Sequence, residues 1–178
     1  MSFSFRLTFF WALVSLAPPL GATQFAPLSI EEITRQADVI VQGTVVCKTC
    51  ARNERGNIFT RIELAVSETW KGPATTNLTI VQSGGILGEE GEMVPGQAEY
   101  EIGEEVVAFL VLNPRGEALT LGLAHGKFHV WKDSQTGEKL ARNIFHGASA
   151  HQAGAKVNAS GISLLKLTDL KRRALQTK

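Results

Sequence analysis

Residues 106–112 (VVAFLVL) are seven consecutive apolar side chains. They follow Glu104 and Glu105 and end at Asn113-Pro114. A Val-rich run of this length, bounded by Gly103 and Pro114, predicts a strand buried on both faces. A helix is the competing reading, but Pro114 would stop it within a turn. A strand with no solvent face needs paired neighbours on each edge and a layer above and below. The rest of the chain must supply them.

The flanking sequence offers strands. In 39–47 (VIVQGTVVC), Val39, Val41, Val45 and Cys47 share one face, and Gln42, Thr44 and Lys48 the other. Gly43 lies on the apolar face, where a glycine marks a bulge, a bend or a close backbone approach. Residues 49–57 read as a polar loop, and 58–70 (IFTRIELAVSETW) as the longest alternating run, paired with 39–47 in a hairpin. Further strands are expected at 77–82, 117–124 and 126–132, with a turn at 133–137 and a weak return strand at 138–145. Residues 83–96 (SGGILGEEGEMVPG) form an acidic, glycine-rich stretch without period and read as a long loop, a length that marks function or mobility.

Helices are expected at both ends. Ser29 with Glu32 three residues on is a capping box, and Leu28 with Ile33 has the spacing of a hydrophobic staple, so a helix starts at Ile30 and ends near Ala37. In 163–176, Leu164, Leu167, Leu170 and Leu175 fall near helical spacing opposite Lys and Arg, which predicts an amphipathic C-terminal helix. The expected fold is mainly β, a small antiparallel β-barrel or sandwich with a short N-terminal helix and this C-terminal one.

The first residues set the compartment. Arg6 precedes a mostly apolar run over 7–16, Pro18-Pro19 breaks it, and Leu20-Gly21-Ala22 offers small residues. This is the order of a secretory signal peptide, with cleavage expected after Ala22. Its apolar part is shorter than the roughly 20 residues a membrane span needs, and no later segment resembles a span. The expected organisation is a signal peptide at 1–22, a β-barrel domain at 23–145, a flexible Ala/Gly-rich segment at 146–161 and a helix at 162–178. The mature chain is expected to be secreted or periplasmic. A formal net charge of +1 argues against a nucleic-acid binder.

Several residues form a series: Ala37-Asp38-Val39-Ile40-Val41-Gln42-Gly43-Thr44-Val45, Thr60, Glu68-Thr69-Trp70-Lys71-Gly72, Gly84-Gly85, Gly103-Glu104-Glu105 with Phe109-Leu110, and Gly126-Lys127-Phe128. It resembles a group of uncharacterised secreted bacterial proteins with an AD-x-I-V-x-G-x-V strand, a K-G strand end, a Gly-Gly loop and a G-E-x-x-x-x-F-L strand. The resemblance spans about residues 29–130. That group looks like the OB-type barrel of netrin-like modules and tissue inhibitors of metalloproteinases. The likeness implies an OB-like barrel and export, and raises the reading of an inhibitor or accessory protein of an extracytoplasmic protease. Those inhibitors set an N-terminal cysteine against zinc; the expected mature start, Thr23-Gln24-Phe25, has none.

Candidate chemistry is sparse. Cys47 and Cys50 form a C-x-x-C at a strand end. In an oxidising compartment its plain reading is a local disulfide. Free thiols, or a thiol or metal site, are the alternatives. His125 and His129, four apart, would share a strand face and could hold a metal with an acidic partner, though half-buried strand residues are the commoner case. His146 and His151 sit in the flexible Ala/Gly-rich segment, where no preformed ligand geometry is expected. Glu89, Glu90, Glu92, Glu99, Glu101, Glu104 and Glu105 make an acidic neighbourhood that would be solvated or, if two carboxylates converged, could do acid/base chemistry. Asn77 and Asn158 match the glycosylation acceptor pattern. Without a nucleophile elbow, a zincin motif or a phosphate loop, the expected function is a non-enzymatic interaction module without a cofactor, bound to an unknown protein partner. Its contact residues would be Gly84, Gly85, Ile86, Leu87, Glu89, Glu90 and Glu92, together with the strand 126–131.

Overall fold

The computed structural model describes residues 28–146 and 165–177. The expected signal peptide and cleavage point, the segment 147–164, His151 and the Asn158 glycosylation pattern lie outside the described residues. The elements are α1 (Ile30–Gln36), β1 (Val39–Arg52), β2 (Ile58–Lys71), β3 (Asn77–Ser83), β4 (Gly85–Leu87), β5 (Glu90–Glu92), β6 (Glu105–Leu112), β7 (Ala118–Thr120), β8 (Lys127–Lys132), β9 (Lys139–Arg142), β10 (Leu165–Lys166) and α2 (Leu167–Gln176).

The apolar run is β6, and it is the hub. β6 pairs with β1 along Val39–Thr44, with β7 at its C-terminal end and with β8 at its N-terminal end. The order β1-β2-β3-β7-β6 returns to β1, giving a closed five-stranded barrel. All its pairings are antiparallel except β3 with β7. The sheet continues past the barrel from β6 through β8 and β9 to β10. Of the two architectures the sequence allows, the barrel is the one found.

Both faces of β6 are buried over Val106–Leu110 because each meets a different core, whereas Leu112 at the end of the apolar run is exposed. Val106, Ala108 and Leu110 point into the barrel beside Val41, Leu64, Ile80 and Tyr100. Val107 and Phe109 point outward into a second cluster with Ile33, Phe128, Leu170 and Ala174. Phe109 and Phe128 meet with ring centroids 5.5 Å apart. The two helices roof this second core, and Arg173 forks both carboxylate oxygens of Glu31 at 2.6 and 2.8 Å, tying α2 to α1.

Closure depends on β1 bending, and its register with β2 shifts between Ile40 and Val41, Gln42 and Gly43, and Val45 and Cys47. Such irregularities re-aim a strand and sharpen its twist. At Gly43 a side chain has no room: a Cβ there would lie 2.6 Å from the Ala65 carbonyl oxygen. Of the bulge, bend or close approach expected at this glycine, the register shift beside it and the close approach are both found.

The capping box is present as read, with Glu32 N–H donating to Ser29 Oγ at 3.2 Å and Ser29 N–H to Glu32 Oε2 at 2.7 Å. Several boundaries differ from expectation. β1 runs on to Arg52, so the polar loop shrinks to a turn at 53–57 closed on Asn53 Oδ1. Polar residues remain in strand there because the β1–β2 hairpin extends beyond the barrel, where the exposed faces meet water. The strand expected over 117–124 stops at Thr120: Gly122 (φ +57°) and Leu123 (φ +62°) turn the chain, and Gly126 N–H donates back to Leu121 O. The C-terminal helix begins at Leu167, because Leu165 and Lys166 pair with β9 first. Its buried stripe is Leu167, Leu170 and Ala174, while Leu175 faces solvent.

Candidate interaction surface

The stretch 83–96 is not a plain loop. Its centre is a two-stranded hairpin, β4–β5, with Gly85 opposite Glu92, Ile86 opposite Gly91 and Leu87 opposite Glu90. The turn is Gly88-Glu89, with Gly88 at φ +65°, the Gly-X pattern of a two-residue hairpin loop. Strands of three residues are too short for a period to show in sequence.

The hairpin sits on the end of the β1–β2 arm through a glycine seat. Gly84 N–H donates to Ile58 O at 2.8 Å, and Ile58 N–H donates to Glu92 Oε2 at 3.2 Å. The buried Thr60 hydroxyl donates to Gly84 O at 2.7 Å. With that proton spent, the Cys50 thiol 3.3 Å from Thr60 Oγ1 is the donor of the pair. Gly85 (φ +138°) lies flat on these side chains: a Cβ would be 2.7 Å from Cys50 Sγ and closer still to Thr60 Oγ1. Arg52 pairs with Glu90 at the rim. Outside the seat, Ile86 and Met93 stand in solvent, 76% and 89% exposed.

The seven residues Gly84, Gly85, Ile86, Leu87, Glu89, Glu90 and Glu92 are therefore together on one projection. The disulfide reading is overturned. Cys47 and Cys50 are both free thiols on β1. Three residues apart on one strand, they face opposite sides of the sheet, with Cα atoms about 10 Å apart at roughly 3.3 Å per residue. A disulfide spans no more than about 7 Å. The same geometry keeps the two thiols from converging on one metal or acting as a redox pair.

The acidic neighbourhood is also dispersed. Glu90 serves Arg52, Glu92 the Ile58 amide, and Glu105 takes Lys139 Nζ and Gln42 Nε2. Glu104 lies on the other side of β6 against β8. Its carboxylate accepts from Lys127 Nζ at 2.5 Å, His129 Nδ1 at 2.7 Å and Glu101 N–H at 3.1 Å. Burial pushes this carboxyl up, but the bonds and charge of Lys127 outweigh it and hold it below the usual range. Beneath it, burial raises the Tyr100 hydroxyl, which shares a 2.8 Å bond with Thr120.

The two central histidines do not share a face. His125 precedes β8 in the turn, stacked on Phe145 at 4.0 Å, while His129 is on the strand. Among the described residues no group of three or more His, Cys, Asp and Glu side chains is placed to hold a metal. No described helix is long and apolar enough to cross a membrane.

The half-buried Lys127–Trp131 face of β8 is a second surface. Lys127, His129 and Trp131 alternate along it; His129 and Trp131 stack at 5.8 Å and 11°, and the Arg142 guanidinium of β9 lies 5.2 Å over the Trp131 ring. The alternation was readable in sequence. The neighbour Arg142 was not, since it depends on the β8–β9 register, His129 opposite Arg142. An open groove of about 590 Å³ lies beside β3 and β7, lined by Arg61, Glu63, Thr75, Asn77 and Glu117 among others, with no His, Cys or Lys. No protein-family model matches this chain, and no curated protein is similar enough to match.

Proposed function

We propose that this protein is an exported, non-enzymatic interaction module that meets a protein partner through the β4–β5 hairpin and the half-buried Lys127–Trp131 face of β8. The observation that carries the reading is the contrast within the hairpin. Its base is held by buried hydrogen bonds and a glycine seat, while Ile86 and Met93 at its outer side are 76% and 89% exposed. Large apolar side chains fixed in solvent on a stiff support are the kind of anchor that a partner's pocket covers. Export rests on the order of charged, apolar and small residues over 1–22.

The test is affinity capture from the source's own extracytoplasmic fraction, using the mature chain and a chain lacking 85–94 as parallel baits. A partner enriched by the first and lost from the second is the expected result. If every captured protein survives the deletion, the hairpin is not the contact surface. A metalloprotease among the lost partners, slowed by the purified protein, would turn the reading toward an inhibitor.

A further inference from the structure

Cationic side chains of β8 and β9 differ in what they have left to offer. Lys127 is spent on Glu104 and on the Glu99 carbonyl. Lys139, on the opposite face of β9, is spent on Glu105. Arg142 is exposed and, among the described residues, has no carboxylate and no hydrogen-bond acceptor; its guanidinium is held over the Trp131 ring. A guanidinium stacked this way is fixed in plane while its edge N–H groups stay free, the arrangement that takes a carboxylate by two parallel bonds. His129, opposite Arg142 in register, donates Nδ1–H to Glu104 and stacks on Trp131, which helps hold the indole in place.

We propose that Arg142, positioned by its stacking on Trp131, forms a recognition site for a single carboxylate side chain of a partner protein. Charge complementarity points to the occupant. The site has one uncommitted guanidinium and a carboxylate, Glu104, close by. A nucleic-acid or sulfated polysaccharide backbone draws its affinity from several neutralised charges at once, and Glu104 opposes it. A sugar ring stacked on Trp131 is disfavoured as well, because Arg142 and His129 already cover much of the indole. A single carboxylate fits what remains. The proposal rests on the reading of the protein as an interaction module, but its test does not involve the hairpin.

The mature chain is titrated with a capped peptide carrying one Glu among glycines, and with its Gln counterpart, following tryptophan fluorescence. Trp131 is the reporter, since Trp70 is buried with its Nε1 bonded to Glu68. A saturable change with the Glu peptide and none with the Gln peptide is expected. Arg142→Gln should weaken binding at least tenfold. Arg142→Lys, which keeps the charge and loses the planar fork, should weaken it severalfold. Thermal melts of both variants should stay within a few degrees of the parent, as Arg142 is exposed and its contact with Trp131 is worth about 0.5–1 kcal/mol. The chain lacking 85–94 should bind the peptide normally even if it loses its captured partner, so the two readings fail separately. Equal binding of the Gln peptide, unchanged affinity in Arg142→Gln, or no saturation by about 10 mM would each overturn the site. So would an Arg142-dependent preference for heparin or a DNA oligonucleotide over the peptide.

Discussion

Replacing Gly85 by Ala tests whether the hairpin is truly seated. The new methyl enters a backbone at φ +138°, a region costing about 1–3 kcal/mol for a side chain. It also arrives 2.7 Å from Cys50 Sγ and nearer to Thr60 Oγ1, an overlap that typically adds about 1–3 kcal/mol. Against this stand three hydrogen bonds, from Gly84 to Ile58, Thr60 to Gly84 and Ile58 to Glu92, worth about 1 kcal/mol each. The cost, about 2–6 kcal/mol in total, is comparable to or larger than the roughly 3 kcal/mol of the seat, so the loss is about 2 kcal/mol or more and is capped near 3 kcal/mol, where the hairpin lifts off. Neither core cluster draws a residue from β4 or β5, so the barrel stays folded. Amide exchange by NMR reads this directly. The Gly84 and Ile58 amides should exchange at least about 30-fold faster, equivalent to 2 kcal/mol of local opening. Val41 and Leu64 should be unchanged. Adding Cys50→Ala should return part of the protection by making room, a non-additive pair. Parent-like exchange at Gly84 and Ile58 in Gly85→Ala would refute the seat.

Other outcomes follow from the same contacts. Gly43→Ala should destabilise the barrel by about 2–3 kcal/mol, seen as a lower urea midpoint at unchanged slope, whereas Gly91→Ala, with ordinary 3.9 Å contacts, should shift it by less than about 0.5 kcal/mol. Phe109→Ala, at the junction of sheet and helices, should cost about 3–5 kcal/mol in the same assay. Ile86→Ser with Met93→Ser should leave stability within about 0.5 kcal/mol, as both are exposed, yet abolish partner capture. Glu31 is held down to about 2, chiefly by its hydrogen bond from Arg173. A carboxyl lowered on folding stabilises the fold above its ordinary value of 4.5 and loses that contribution as pH falls toward 2. The pair is more than a third exposed, so the effect is at most about 1 kcal/mol. It should vanish in Arg173→Gln when unfolding is compared at pH 6 and pH 3.

Where a local pattern decides the structure, the sequence was readable. The run 106–112 had no polar side, and it became the strand shared by two cores. Ser29 and Glu32 bond within one turn, so their spacing sufficed. Gly43 stood on an apolar face, and that alone flagged the close approach to Ala65. The misses share a cause, dependence on a distant partner. Residues 49–52 look like loop because they are mostly polar, but they pair with β2 and remain strand. Cys47 and Cys50 have the spacing of a functional pair, and only the continuation of β1 sets them on opposite faces. Glu104 reads as one glutamate among many until the β6–β8 register brings Lys127 and His129 to it.

The most direct test of the account is quantitative capture of one extracytoplasmic partner by the mature chain and by its Ile86→Ser, Met93→Ser variant at matched concentration. The account predicts a partner enriched by the parent and reduced to background by the variant, with both baits showing the same melting curve. Equal enrichment by the two baits would contradict it, and the contact surface would have to lie away from the hairpin.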